Sequence, residues 1–250
     1  LLRPTAAVSK ATYPLLLAVK GVTRLFYRVD VDWVEEAPGD PWAFLPELRV
    51  IALLNHTSLY EPLLTGGVPN RLLREIARRG VIPVAAKTAE RPLVGRFFRL
   101  FAPDVIPISR QRDSTWQEVV DRIGPRSLVV IAPEGRMKRS TGLDAEGNPM
   151  TVRGGIADVL RGIPGGYLLV GYSGGLHHVQ HPGEHLPRLF QRIGLRLEVL
   201  DIEAYRSALQ ESAGRHGFKQ AVIRDLEQRR DRHVAELQAR NPATRGKVAA

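Results

Sequence analysis

The sequence predicts an α/β fold in which a central mixed or largely parallel sheet is flanked by helices. Two patterns predict it. Short runs rich in Val, Ile and Leu recur along the chain, each of strand rather than helix length. Helical patterns with recognisable ends lie between several of them, and strand-helix alternation is the signature of a layered sheet. The 250 residues, 44% hydrophobic and 25% charged, suit one sizeable core better than two small ones.

The elements follow in order. Pro14 to Tyr27 carries apolar residues with Lys20 and Arg24 interspersed and Arg28 just after. Two readings are open for it: a short interfacial helix that buries apolar surface in lipid and offers cations to headgroups, or a helix packed on the core. Buried strands are expected at Arg49 to Leu54, Val81 to Ala85, Val105 to Ile108, Ser127 to Ala132, Tyr167 to Val170 and Leu195 to Leu200. Asn70 is placed to cap RLLREIARR, which Gly80 closes, and Asp113 or Ser114 starts WQEVVDRI, closed by Gly124 and Pro125. The stretches around Gly142 to Pro149 and Gly171 to Pro187 read as loops. Phe218 to Gln238 reads as a charged amphipathic helix forming a solvated outer layer, and NPATRGKVAA as a disordered tail.

Composition narrows the function. Lys and Arg number 36 against 26 Asp and Glu, so the chain should attract polyanions. No zinc-finger spacing or aromatic-basic signature points to nucleic acid, and none is expected as a partner. With no cysteine, disulfides, thiolate metal sites and a cysteine nucleophile are excluded. The charge-free run Ala11 to Val19 is shorter than the roughly 20 residues of a membrane-spanning helix. The first residue is Leu, which leaves room for an anchor or targeting segment upstream.

The chemistry concentrates where the strand VIALL runs into NHTSLYEP, at a strand end, where open α/β sheets keep their sites. His56 and Glu61 are five apart, a turn of about 140° on a continuous helix. They meet only if His56 sits on a turn before the helix that carries Glu61, and Ser58 is a plausible N-cap at such a break. A carboxylate accepting from one imidazole nitrogen fixes the tautomer, so that the other nitrogen acts as a general base. The same letters, Ser58-Leu-Tyr-Glu61, also spell a capping box in which Glu61 merely reaches back to a backbone N-H.

NHTSLYEP resembles the N-H-x-S-x-x-D block of the glycerol-3-phosphate and lysophosphatidic acid acyltransferase family. Three further segments resemble that family's blocks in the same order. AAKTAERPLVGRFFRLFAPDVIPISRQR supplies Lys87, Arg110 and Arg112; IAPEGR resembles F-P-E-G-T-R with Pro133, Glu134 and Gly135; and VRGGIADVL resembles a lysine-glycine helix start with Arg153 in place of the lysine. YLLVGYSGG is a weaker fourth. The resemblance spans roughly residues 50 to 200, and ordered blocks are far more specific than any one of them. It departs at Glu61, where the family has Asp, at Arg136, where Thr is usual, and at Met137, where Arg is usual.

The resemblance implies an acyltransferase-like catalytic core over 49–205, preceded by an N-terminal helical, interfacial segment (1–48) and followed by a C-terminal amphipathic helix and tail (206–250). It implies transfer from acyl-CoA or acyl-carrier protein to a lysolipid or glycerol phosphate, with His56 as base and Glu61 as its orienter. Lys87, Arg110, Arg112 and Arg136 become candidates for gripping an anionic headgroup, and Glu134 and Gly135 for shaping the acceptor pocket, Glu134 alternatively pairing with an arginine. A cytoplasmic enzyme held peripherally at a membrane surface follows, with no cofactor and no metal. Two rivals remain: a serine hydrolase using the G-x-S-x-G match at Ser173, and a non-catalytic basic lipid-binding module. The histidines at 177, 178, 181 and 185 have some metal-like spacing, but Pro182 interrupts the helix this would need.

Overall fold

A computed structural model describes residues 6–35, 39–91, 95, 100–109, 113–139, 141–180, 184, 186–214 and 217–240. The tail from 241 onward, and with it the expectation of disorder there, lies outside the described residues.

Seven strands form one sheet: β1 (Arg28–Trp33), β2 (Leu48–Leu54), β3 (Gly80–Ala85), β4 (Asp104–Ile108), β5 (Leu128–Ile131), β6 (Tyr167–Gly174) and β7 (Arg192–Asp201). Their order is β1-β7-β6-β2-β5-β3-β4. Neighbours from β6 to β4 are parallel, β6 and β7 are antiparallel, and β1 and β7 are parallel to each other. The sheet is therefore mixed, with the carboxyl ends of β2, β3, β4, β5 and β6 and the amino ends of β1 and β7 along one edge.

Side chains alternate across it with the period of two that a pleat dictates. Val50, Ala52 and Leu54 of β2 and Leu168, Val170 and Tyr172 of β6 enter one core cluster, while Ile51 and Leu169 enter another on the opposite face. The first face is covered by helices α5 (Gly155–Gly162), α7 (Ile202–Ser212) and α8 (Gly217–Arg240). The second is covered by α1 (Ala6–Phe26), a 3-10 turn at Glu61–Gly67 and α2 (Asn70–Arg79). Three further helices, α3 (Ala86–Ala89), α4 (Ser114–Asp121) and α6 (Leu176–Val179), lie in the connections between strands.

Several expectations need correction. Strand β1 was not read from the sequence, although RVDVDW alternates apolar and acidic residues as a half-buried edge strand does. The strand lies within the segment read as helical, so the sheet begins before residue 49. Pro69, not Asn70, occupies the N-cap position of α2, and the Asn70 amide oxygen instead accepts from Lys20 Nζ at 2.7 Å. Asp113 does cap α4, its carboxylate accepting from the Thr115 N-H at 2.9 Å.

Helix α8 is not a solvated layer. It buries Phe218, Ala221, Val222, Leu226, Val234 and Leu237 against the sheet, and its charge content misleads because Arg229 and Arg230 turn inward onto acidic partners. Helix α1 packs on the core through Leu16, and Lys20 Nζ also donates to the Val68 carbonyl at 2.7 Å. No helix among the described residues is long and apolar enough to cross a membrane.

Candidate active site

Strand β2 delivers His56 to the carboxyl edge through an abrupt turn. Asn55 adopts φ +65°, a left-handed conformation that Asn tolerates better than other side-chain-bearing residues, and its Nδ2 donates to the Ser173 carbonyl at 2.7 Å. The backbone of His56 is then clamped from both sides. Its N-H donates to Glu134 Oε2 at 2.7 Å, and its carbonyl accepts from the Lys138 N-H at 2.8 Å.

The imidazole meets Glu61. His56 Nδ1 lies 2.7 Å from Glu61 Oε1, with both side chains mostly shielded from water. The pair forms because residues 57 to 60 stay out of any helix and Glu61 opens the 3-10 turn, which removes the angular obstacle a continuous helix would pose. Ser58 does not cap that turn; its Oγ accepts from the Tyr60 N-H at 3.2 Å. The Glu61 carboxylate is spent on the imidazole, not on the backbone contact of a capping box.

Glu134 sits at the turn after β5 and is 1% exposed. One carboxylate oxygen holds the His56 N-H, and the other accepts from Arg230 Nη1 at 2.9 Å, while the same guanidinium nitrogen donates to the Met150 carbonyl at 3.0 Å. Glu134 is thus a buried strut for the histidine turn, which corrects its expected place in the pocket wall in favour of the arginine-pairing alternative. Arg230 is its partner from α8, and 96 residues of sequence separation hid the contact from sequence reading. Gly135 does line the pocket, at φ +62°, where a side chain would be strained.

A cavity of about 510 Å³ opens at His56, Glu61, Gly135 and Arg136. It runs inward between the sheet and the elements covering its second face, with mostly aliphatic walls that include Ile51, Leu53, Leu72, Leu73, Leu169 and Leu195. That volume is in the range of ordinary small-molecule sites. Gly171 lines it with no side chain of its own, and Leu53 closes against it: a Cβ there would lie 2.9 Å from Leu53 Cδ2.

The expected cations divide. Arg136 lines the mouth but is ion-paired with Asp144 and 3.6 Å from Glu146. Burial pushes the Asp144 carboxyl up, yet the N-H groups of Asn148 and Glu146 and the Arg136 guanidinium prevail and hold it at about 2. Lys87 is exposed on α3 and outside the cavity wall. Arg110 and Arg112 lie outside the described residues. Two cations that were not among the expected site residues line the cavity instead: Arg153, whose N-H donates to the Pro133 carbonyl at 2.8 Å, and Lys219 at the start of α8. Lys219 lies so close across Gly154 that a Cβ there would come within 1.7 Å of its Cε. The first was visible in VRGG; nothing local marks the second.

Ser173 cannot serve as a nucleophile elbow. It lies within β6, which extends to Gly174 into the start of the stretch read as loop, is 2% exposed, and its Oγ donates to the Asn55 carbonyl at 3.1 Å. Among the described residues no group of three or more His, Asp or Glu is arranged to hold a metal ion, and His181 and His185 lie outside them.

The described geometry is an open mixed sheet with a histidine-carboxylate pair at its carboxyl edge, beside an apolar cavity. The chain belongs to the acyltransferase family, whose model, described as Acyltransferase, matches residues 40–169. The fold is similar to the crystal structure of the 1-acyl-sn-glycerophosphate (LPA) acyltransferase PlsC from Thermotoga maritima. The TM-score is 0.55 at 19% sequence identity, covering 92% of this chain and 83% of that one. No curated protein matches.

Proposed function

We propose that the protein transfers a fatty acyl group from an acyl thioester, acyl-CoA or acyl-carrier protein, to a hydroxyl of a lysophospholipid or glycerol phosphate, with His56 as general base. The observation that carries this reading is the 2.7 Å contact between His56 Nδ1 and Glu61 at the mouth of an apolar cavity. A proton held on Nδ1 by the carboxylate puts the imidazole lone pair on Nε2. Nε2 then takes the acceptor hydroxyl's proton as that oxygen attacks the thioester carbonyl. A carbon-oxygen bond forms, the carbon-sulfur bond breaks, and the imidazolium returns the proton to the departing thiolate. Glu61 offsets the charge on the imidazolium between the two transfers. The chemistry asks for no protein nucleophile and no cofactor.

The aliphatic walls suit an acyl chain, while Arg153 and Lys219 suit a phosphate at the mouth. The acceptor in the name of the Thermotoga maritima protein, a 1-acyl-sn-glycerophosphate, supports a lipid acceptor here. Such acceptors reside in bilayers, so the enzyme works as a peripheral protein on the cytoplasmic side of a membrane.

The test is incubation with several acyl thioesters and a panel of lysolipids, with products read by mass spectrometry. Acyl transfer to a hydroxyl is expected; thioester cleavage without transfer, or neither, sinks the reading, and neither is the outcome for a non-catalytic lipid-binding module. Glu61→Asp should retain appreciable activity. A fully active Glu61→Gln would reduce Glu61 to a structural residue.

A further inference from the structure

Strand β2 stops short of its histidine. Its last residue in register with β6 is Leu54, opposite Tyr172, yet β6 itself runs on to Gly174 against β7. Past Leu54 the backbone leaves the ladder, because Asn55 turns to φ +65°. Asn55 is 5% exposed and Ser173 is 2% exposed, and main-chain groups buried at such a break must find other partners. Side chains supply them. Asn55 Nδ2 donates to the Ser173 carbonyl at 2.7 Å, and Ser173 Oγ donates back to the Asn55 carbonyl at 3.1 Å, with the Leu54 carbonyl at 3.4 Å. Each side chain satisfies the other's main chain, which makes a reciprocal clasp between two strand ends.

The turn decides which way the histidine faces. Along β2, Val50, Ala52 and Leu54 enter the core of the first face, and Ile51 and Leu53 that of the second. A strand continuing with this period of two would send His56 to the first face, with α5 and α8. Glu61 lies on the other side, opening the 3-10 turn that covers the second face. The 2.7 Å contact of His56 with Glu61 therefore requires the alternation to be broken between Leu54 and His56, and the left-handed residue there is Asn55. Left-handed backbone is unfavourable for a residue with a side chain, so the turn needs holding. Glu134 and Lys138 grip the main chain of His56 after the turn, whereas the clasp grips the turn itself.

We propose that Asn55 and Ser173 are positioning residues, whose clasp holds the left-handed turn that swings the His56 ring off the first face of the sheet and onto Glu61. Neither residue lines the cavity, so both act through the histidine and touch no substrate. The effect on turnover rests on the acyltransferase reading above; the clasp itself does not.

Two readouts on the full chain test it. In protein carrying isotopically labelled histidine, the Nδ1 proton that Glu61 shields from exchange gives a nuclear magnetic resonance signal, identified by its loss in His56→Ala. Ser173→Ala and Asn55→Gly are expected to weaken or abolish that signal. Glycine keeps the left-handed conformation accessible, so Asn55→Gly removes the amide without forcing the backbone. Ser173→Ala removes a single oxygen and serves if Asn55→Gly does not fold. Each should lower kcat roughly tenfold with KM unchanged, since small misplacements of a reacting group are costly and the cavity wall is untouched. In a Glu61→Ala chain, Ser173→Ala should cost little more, because the contact it secures is already gone. Folded variants that keep both the signal and kcat overturn the proposal. So does a fall in kcat with the signal intact, or losses that multiply in the Glu61→Ala chain. Loss of the signal in variants of a chain that transfers no acyl group would leave the clasp standing and remove the enzymatic reading.

Discussion

The two faces of the sheet are finished in different ways. On the face covered by α5, α7 and α8, side chains from β2 and β6 meet helices directly, and buried polar groups are tied off in pairs: Tyr172 donates to Glu198, Tyr205 to Asp225, and Arg229 bridges both acids. Burial pushes both phenols well above their ordinary pKa, so they remain neutral donors. The face under α1 and α2 carries most of the cavity's aliphatic wall, with Gly171 set against the ends of Leu53 and Leu195. One face therefore supplies rigidity and the other supplies room. His56 stands at the edge where they meet, its backbone held by Glu134 and Arg230 from the rigid side and its ring directed to Glu61 on the open side.

If that division is right, removing the ring should affect chemistry and neither face. His56→Ala is expected to lower kcat by about 10²- to 10⁴-fold, the usual contribution of a general base, with the melting temperature unchanged. The opposite result is expected from the rigid side. Arg230→Met leaves the Glu134 carboxylate buried without its cation, and breaking such a pair costs about 3 kcal/mol. Thermal denaturation should show the loss, and kcat should fall with it because the strut for the His56 N-H is disturbed. A variant that keeps full stability would show that water replaces the guanidinium and that α8 does not brace the site.

The open face is tested by filling it. Gly171→Val should keep the fold, since the nearest groups are the mobile ends of Leu53 and Leu195. It should disfavour long acyl thioesters against ones two carbons shorter by roughly tenfold, two methylenes being worth about 0.8 kcal/mol each. Rates on a series of chain lengths measure this directly, and an unshifted preference would place the acyl chain elsewhere.

What could be read from the sequence follows the same division. Apolar runs announced β2 to β7, the central ones because strands covered on both faces are largely apolar, whereas edge strand β1 alternates apolar and acidic residues and was missed. His56 and Glu61 were legible because both lie on one short segment whose break in helix geometry is local. Glu134 was visible as a letter but not as a strut, since its partner Arg230 comes from a helix whose charges suggested solvent. Lys219 and the cavity were illegible: they arise from the packing of distant elements, and no spacing rule reports the absence of a side chain at the right depth. Ser173 carried a short-motif signal that burial in β6 cancels.

The smallest expected effect lies at the mouth, where Asp144 restrains Arg136. Its carboxyl is held at about 2, below the usual 3.8, although burial alone would raise it. A depressed carboxyl contributes stability above its unfolded pKa, and that contribution is lost as pH falls through the folded value. Asp144→Asn should therefore melt lower than the unmutated chain at pH 7, with the gap narrowing below about pH 4 and closing near pH 2. The same substitution releases the Arg136 guanidinium at the cavity mouth. If Arg136 is a headgroup cation restrained by Asp144, KM for a phosphorylated acceptor should fall in the variant while KM for an uncharged one does not change. An equal change in both would assign Arg136 to holding the 141–149 loop, and the phosphate to Arg153 and Lys219.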